Sequence, residues 1–249
     1  MHQKMISSDR HLRHRDSRKA DEAACRSRFQ CLEEVPLFAG LAEDSLLQLE
    51  RASRSSLLSR GEYLYLDGDS AQSVFIVRDG WMVGLLTHED GRELVLNEMR
   101  RGDLFGQHAL LTGAQRSNTV VAHEDSELVE LAGDDFLRIV DKEPLLARGL
   151  LALAALRLCA GNDRESALAF LGAGARVARI LRLLDEMDSQ TADRGYVTVS
   201  QEELAQRTGL TRQTVARFLG KWRREGWLLT GRGRIMLLNR AALHRVEQQ

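Results

Sequence analysis

Two stretches of this sequence have the residue types and spacing to do chemistry. In "LFGQHALLTGAQRSNTV", Leu104 to Val120, Arg116, Ser117 and Asn118 offer a guanidinium, a hydroxyl and an amide suited to holding a phosphate, downstream of Gly106 and Gln107. In "LTRQTVARFL", Leu210 to Leu219, Arg212 and Gln213 fall in the first turn of an expected helix and Arg217 about one and a half turns on. Arginine can grip guanine O6 and N7 with two donors, and glutamine does the same for adenine N6 and N7. Arg232 and Arg234, in "GRGR", can reach phosphates.

Other chemistries are poorly supplied. No G-x-S-x-G, H-E-x-x-H or Walker loop occurs, which argues against an enzyme. The G-x-G of "LGAGAR" lacks a third glycine, Val177 standing in its place, and follows a helical rather than a strand-like run. Cys25, Cys31 and Cys159 are too few for a tetrahedral zinc site or a four-cysteine iron–sulfur cluster, so reduced thiols and no cluster are expected. Composition, 43% hydrophobic and 29% charged over 249 residues, is that of a soluble globular protein of one large or two modest domains. The polar, basic start "MHQKMISSDRHLRHRDSRKA" has no signal-peptide core, and the uncharged run Gly149 to Leu156 is too short to span a bilayer. A cytoplasmic protein with no membrane segment is therefore expected.

Charge is unevenly divided. Residues 191–249 carry eleven basic against five acidic side chains, a balance of +6 that leaves about −7 for the rest of a chain whose net charge is −1. A basic end on an acidic body suggests a polyanionic partner.

The elements that must position these residues follow from periodicity. Residues 1–30 read as a flexible arm. From Val35 to about Ile139, short apolar β-rich runs such as "EYLYL", "SVFIV" and "ELVEL" alternate with turn signals at Asp67-Gly68, Asp79-Gly80, Asp90-Gly91 and Gly102-Asp103, the pattern of a small barrel or sandwich. From Pro144 to about Leu171 a long helix is expected, with Leu146, Leu150, Leu153 and Arg157 on a near-heptad stripe. Its first half is apolar almost all round, so it must be covered, by a second copy of itself or by a larger core. "LGAGAR", Leu171 to Arg176, then suits a hinge, and a second helix turns Val177, Ile180, Leu181 and Leu184 inward.

The C-terminal stretch is the most specific. Ser200 with Glu203 forms a capping box for a helix burying Leu204 and Ala205, Gly209 supplies a turn, and Thr211 caps a second helix with Val215, Phe218, Leu219 and Trp222 inward. Two short helices joined this way make a helix-turn-helix, and "WLLTGRGRIMLL" adds two short strands as a wing.

With "RRGDLFGQHALL", "QRSNTV" and "LTRQTVARFL" in this order, the chain resembles the cyclic-AMP receptor protein/FNR family of bacterial transcription regulators over about residues 30 to 240. The resemblance implies an α+β protein with a flexible arm over 1–30, an antiparallel β-roll effector domain over 31–142, a dimerisation helix over 143–171 and a winged helix-turn-helix over 172–249. It implies a homodimer on a palindromic double-stranded operator, with Thr211, Arg212, Gln213, Arg217, Arg232 and Arg234 at the DNA and RNA polymerase as a further partner. Members that bind cyclic AMP hold its ribose with a glutamate of an F-G-E motif, its phosphate with an Arg-Ser pair, and its adenine with polar residues of the long helix. Here Gly106, Arg116, Ser117 and Asn118 retain the phosphate side, Gln107 replaces the glutamate, and Gly161 and Asn162 fall where the adenine contacts would be. The family's receptor protein carries a glutamate at the position of Gln213.

Three occupancies of the pocket stay open: cyclic AMP, another anionic effector, or no ligand with Arg116 in a structural ion pair. Haem held by His88 or His108 is a fourth possibility, and an effector-regulated or haem-based sensor whose β-roll carries the main activity is the alternative to a DNA-binding regulator.

Overall fold

The computed structural model describes residues 32–191 and 196–248, and, of residues 188–191, the backbone only. The expected N-terminal arm, with Cys25 and Cys31, lies outside the described residues. The chain divides into two compact units, one running to Gly84 and resuming over Glu98–Leu153, the other comprising Leu85–Asn97 and Ala154 onward.

The first unit opens with a short 3-10 helix, Pro36–Phe38, and a helix α1, Glu43–Arg51. Strands follow from Ser53: β1 (Ser53–Leu58), β2 (Tyr63–Tyr65), β3 (Ser73–Asp79), β4 (Trp81–Thr87), β5 (Glu93–Arg100), β6 (Leu104–Phe105), β7 (Thr119–Ala122) and β8 (Ser126–Ala132). A six-residue helix α2, Gln107–Thr112, lies between β6 and β7, and α3, Gly133–Lys142, closes the series. The strands form two four-stranded sheets, in the orders β1-β8-β3-β6 and β2-β7-β4-β5.

Strand β3 explains why "SVFIV" is apolar at every position after its serine. Successive side chains point to opposite faces of a strand. Val74 and Ile76 join a core with Phe38, Leu49, Phe136 and Ile139, whereas Phe75 and Val77 join another with Met82, Met99 and Phe105. Both faces are covered, one by helices. The expectation of β-structure from Val35 to Ile139 is therefore corrected at both ends: strands occupy only Ser53–Ala132. In α3, Phe136 and Ile139 are buried three residues apart, a helical spacing inside the segment read as strands.

Helix α4, Pro144–Phe170, runs without a break for 27 residues, yet only Leu146 and Leu150 are buried along it, both in the first unit's core. The other apolar side has no cover among the described residues. Leu151 is 71% exposed and Leu158 66%. By length and composition alone this helix could cross a membrane, so the expectation that no segment is long enough is amended.

The second unit continues with α5 (Ala173–Thr191), β9 (Val197–Thr198), α6 (Gln201–Thr208), α7 (Arg212–Arg224), β10 (Leu228–Gly231), β11 (Arg234–Leu237) and α8 (Arg240–Glu247). Its core joins Val177, Ala178 and Leu181 of α5 to Val215, Leu219 and Trp222 of α7 and to Leu228 and Ile235 of the small sheet. The expected hinge is shorter than "LGAGAR": only Leu171 and Gly172 separate α4 from α5. Gly174 is helical, and a Cβ there would lie 3.0 Å from the Phe218 ring. It serves helix packing. Helix α8 is tied to α5 by Arg182 with Glu247 at 2.8 Å and by Arg240 with Asp185 at 2.6 Å.

Candidate nucleic-acid interface and effector pocket

The helix-turn-helix is built by local hydrogen bonds. Ser200 Oγ accepts from the Glu203 amide at 3.1 Å, while the Glu203 carboxylate accepts from the Ser200 amide at 2.5 Å, completing the capping box. Gly209 ends α6 at φ +63°, a left-handed conformation that suits glycine, and its amide donates to the Ala205 carbonyl. Thr211 Oγ1 then accepts from the Thr214 amide at 3.2 Å and starts α7.

Burial of Val215, Leu219 and Trp222 fixes the rotation of α7. At about 100° per residue, that stripe turns Gln213 and Arg217 outward; Arg212 lies nearer the stripe's own side and is exposed because it sits in the first turn. The same outward row continues through Gly220 and Arg224, which the motif reading does not include. Spacing alone reveals them, since 213, 217, 220 and 224 step by four, three and four residues along one face. Thr211 is exposed, but its hydroxyl is engaged by the cap.

In the wing, β10 and β11 pair antiparallel with Gly231 opposite Arg234, leaving Arg232 and Gly233 as the turn. Arg232 is exposed, and the Arg234 guanidinium carbon lies 4.7 Å from the centre of the Tyr196 ring, which steadies it. A cleft of about 290 Å³ separates the start of α7 from this turn, with Arg212 and Arg232 in its walls. The arrangement presents an exposed helix face carrying Gln213 and Arg217 beside a second strip of cationic groups.

The other candidate site lies in the first unit. Gly106 precedes α2 at φ +82°, and a Cβ there would come within 2.9 Å of Arg116 Nη1. That missing side chain admits the Arg116 guanidinium. Arg116 is only 6% exposed; Nη1 donates to the Gly106 carbonyl at 2.6 Å and Nη2 to the Ser73 carbonyl at 2.8 Å. Its charge sits 4.3 Å from the centre of the Tyr65 ring. Burial pushes the guanidinium below its ordinary value, opposed by Tyr65, Asp69 and Glu130. Ser73 also donates through Oγ to Glu130 at 2.5 Å. Glu130 is held below the usual carboxylate range, foremost by the hydrogen bond from Arg54.

These bonds bear on one of the occupancies left open for Arg116, the structural ion pair. Its hydrogen-bond partners are main-chain carbonyls, not a carboxylate, and each terminal nitrogen gives one of its two N–H groups to the fold. Nε of Arg116 is buried without a partner, as is Oε1 of Gln107, also 6% exposed. Ser117 is exposed and Asn118 half-buried beside them in the chain. Gly161 and Asn162 belong to the second unit, where Asn162 is exposed on α4. His88 and His108 are both exposed side chains, and His88 lies 3.0 Å from Asp90. Among the described residues no three His, Cys, Asp or Glu side chains converge as metal ligands.

Residues 57–143 match the cyclic nucleotide-binding domain family and residues 175–246 the Crp-like helix-turn-helix domain family. The cyclic AMP receptor protein of Thermus thermophilus is 32% identical over 212 residues, which cover 85% of this chain and 96% of that one. The cAMP-activated global transcriptional regulator CRP of Escherichia coli is 29% identical, over 67% of this chain and 78% of its own length. Among solved structures, a CRP-family transcriptional regulator of Thermus thermophilus superposes with a TM-score of 0.64 at 31% identity, over 78% of this chain and 97% of that one.

Arg116→Met is expected to destabilise the protein by about 2 kcal/mol or more, because two buried carbonyls lose their donor. Urea unfolding followed by circular dichroism measures this. An unchanged midpoint would mean that the guanidinium serves only a ligand.

Proposed function

Because this chain belongs to the cyclic-AMP receptor protein/FNR family, and so is a helix-turn-helix transcriptional regulator, we propose that it acts as a cytoplasmic homodimer on palindromic DNA and answers an effector other than cyclic AMP. The carrying observation is the outward face of α7 with Gln213 and Arg217, the exposed Arg212 in its first turn, and the Arg232 turn as a phosphate clamp. The proposed working parts are an N-terminal arm over 1–30, a β-roll over 31–142, a dimer helix over 143–171 and a winged helix over 172–249. No catalytic role is assigned to any of them. RNA polymerase is the proposed further partner at the promoter.

The dimer rests on the bare side of α4. Leu151, Ala155, Leu158, Asn162, Glu165 and Ala169 are all exposed and recur at steps of four and three, the spacing of a coiled-coil seam. Leu146 and Leu150, first expected on that seam, already fill the chain's own core. Leu151→Asp with Leu158→Asp would place unpaired charges in the seam. Light scattering should then report a monomer, and an unchanged dimer would put the seam elsewhere.

For the effector, the proposal rests on Gln107 Oε1 and Arg116 Nε, a lone acceptor and a lone donor facing desolvation together. A ligand offering a donor to the first and an anionic oxygen to the second would satisfy both. Cyclic AMP would meet a neutral amide where its receptors supply a carboxylate, and no hydroxyl at Gly161.

Site selection from random DNA should return a two-fold palindrome with half-sites about one helical turn apart. Gln213→Glu should move the preference at one base pair from adenine towards cytosine, and Arg217→Ala should cost about 1–3 kcal/mol at a single position. Identical consensus sequences from wild type and Gln213→Glu would remove Gln213 from the readout.

Operator binding followed by fluorescence anisotropy should be indifferent to micromolar cyclic AMP, since losing a charge-assisted hydrogen bond costs about 1.5–3 kcal/mol, or ten- to a hundredfold in affinity. Gln107→Glu is expected to gain a response. A strong response from the wild type would overturn the assignment of a different effector.

A further inference from the structure

The second unit holds a cavity that neither the DNA-reading row nor the Gln107–Arg116 pocket uses. It measures about 200 Å³ and lies among the C-terminal half of α4, the start of α5 and the end of α6. Four arginines line it: Arg164 from α4, Arg176 and Arg179 from α5, and Arg207 from α6. The opposing charge in its wall is a single carboxylate, Asp163. Leu168 and Ile180 supply an apolar side.

Other buried or partly buried arginines have hydrogen-bonded partners, Arg78 and Arg182 in the carboxylates of Glu127 and Glu247 and Arg116 in two main-chain carbonyls. Arg164 departs from that pattern. Among the described residues it has no ion pair or hydrogen bond, and burial pushes its guanidinium below the ordinary value. Arg176 Nη1 is fixed by the Thr208 carbonyl at 2.9 Å, while its Nε is buried with no partner. Gathering like charges where water is partly excluded is costly unless an anion completes the site.

We propose that this cavity is a second small-molecule site, for a phosphate monoester whose phosphoryl group is held by the arginines and whose organic part packs on Leu168 and Ile180. Guanidinium forks match phosphate oxygens in pairs. The cavity is smaller than the roughly 300–1,000 Å³ of drug-sized ligand sites, so the organic part must be small. On a helix turning about 100° per residue, Arg164 and Leu168 lie away from Leu158 and Asn162, so pairing through that face leaves the cavity open. A bound phosphoryl group would tie α4 and α5 to α6, the first helix of the helix-turn-helix, and so set its freedom to move.

Calorimetric titration of the full chain in phosphate-free buffer, with inorganic phosphate and then phenyl phosphate, tests this. One site per protomer is expected, with phenyl phosphate binding more tightly. Arg164→Leu and Arg179→Gln should each weaken binding by at least about tenfold, the loss of a charge-assisted contact. Arg164→Leu should also raise the thermal midpoint of the ligand-free protein, because an unpaired desolvated charge is removed, and should abolish the rise that phosphate gives the wild type. Absence of binding at millimolar concentrations, or binding undiminished in both variants, overturns the proposal. Phenyl phosphate no tighter than inorganic phosphate overturns the assignment of an ester.

Discussion

A helix of 27 residues with only two buried along it is the constraint from which the rest of this molecule follows. Covering a leucine releases about 1.5–3 kcal/mol, so Leu151 and Leu158, left in water, are a strong drive to association. In the proposed dimer a second copy of α4 would meet that drive with an isologous pairing, and a two-fold axis along α4 would relate the two α7 helices by the same symmetry. Symmetry in the protein then demands symmetry in the operator. Asn162 would give the proposed seam a polar position, the kind that fixes register in paired helices at some cost in stability. The resemblance places a ligand's base near this same residue, so an effector contact there would be felt directly by the partner helix.

Legibility in the sequence followed the range of the interaction. The capping box at Ser200, the turn at Gly209, the Thr211 cap and the Arg232-Gly233 turn are all made by residues within a few positions of each other, and the sequence displays both partners. The face of α4 was harder. Apolar residues surround its first half, so periodicity could not say that Leu146 and Leu150 turn to the chain's own core while Leu151 and Leu158 turn away. The helical ends of the first unit were hidden for a related reason. The short amphipathic pattern of α3 adjoins β8, whose alternation it interrupts within one residue.

Long-range partners had no sequence signal at all. Arg116 was recognisable as a cation suited to an anion, but its acceptors are the carbonyls of Gly106 and Ser73, groups every residue owns. Only folding selects them. The four arginines around the second cavity are spread from position 164 to 207 on three helices, and no motif joins them. By contrast Arg224 could have been read, because it continues a row already begun at Gln213.

The places where this chain fails to satisfy itself coincide with the partners proposed for it. Well-folded sequences are consistent at every level except where function requires otherwise. The uncovered side of α4 asks for apolar surface, which a second copy has; the exposed row on α7 asks for base edges. Gln107 Oε1 with Arg116 Nε asks for a donor and an anionic oxygen, and Arg176 Nε, in a cavity shared with three more guanidinium groups, asks for an anion. The two buried sites differ in one respect that bears on regulation. In the first each terminal nitrogen of the arginine already gives one N–H group to the backbone, which braces it without a ligand. In the second Arg164 has no such hydrogen bond among the described residues, so the proposed anion would offset its burial. A ligand can bias a conformational equilibrium only through a difference in affinity between the states. The arginine cavity, built from three helices of one unit, is therefore better placed to make helix-turn-helix motion sensitive to an anion than a pocket whose walls are already braced.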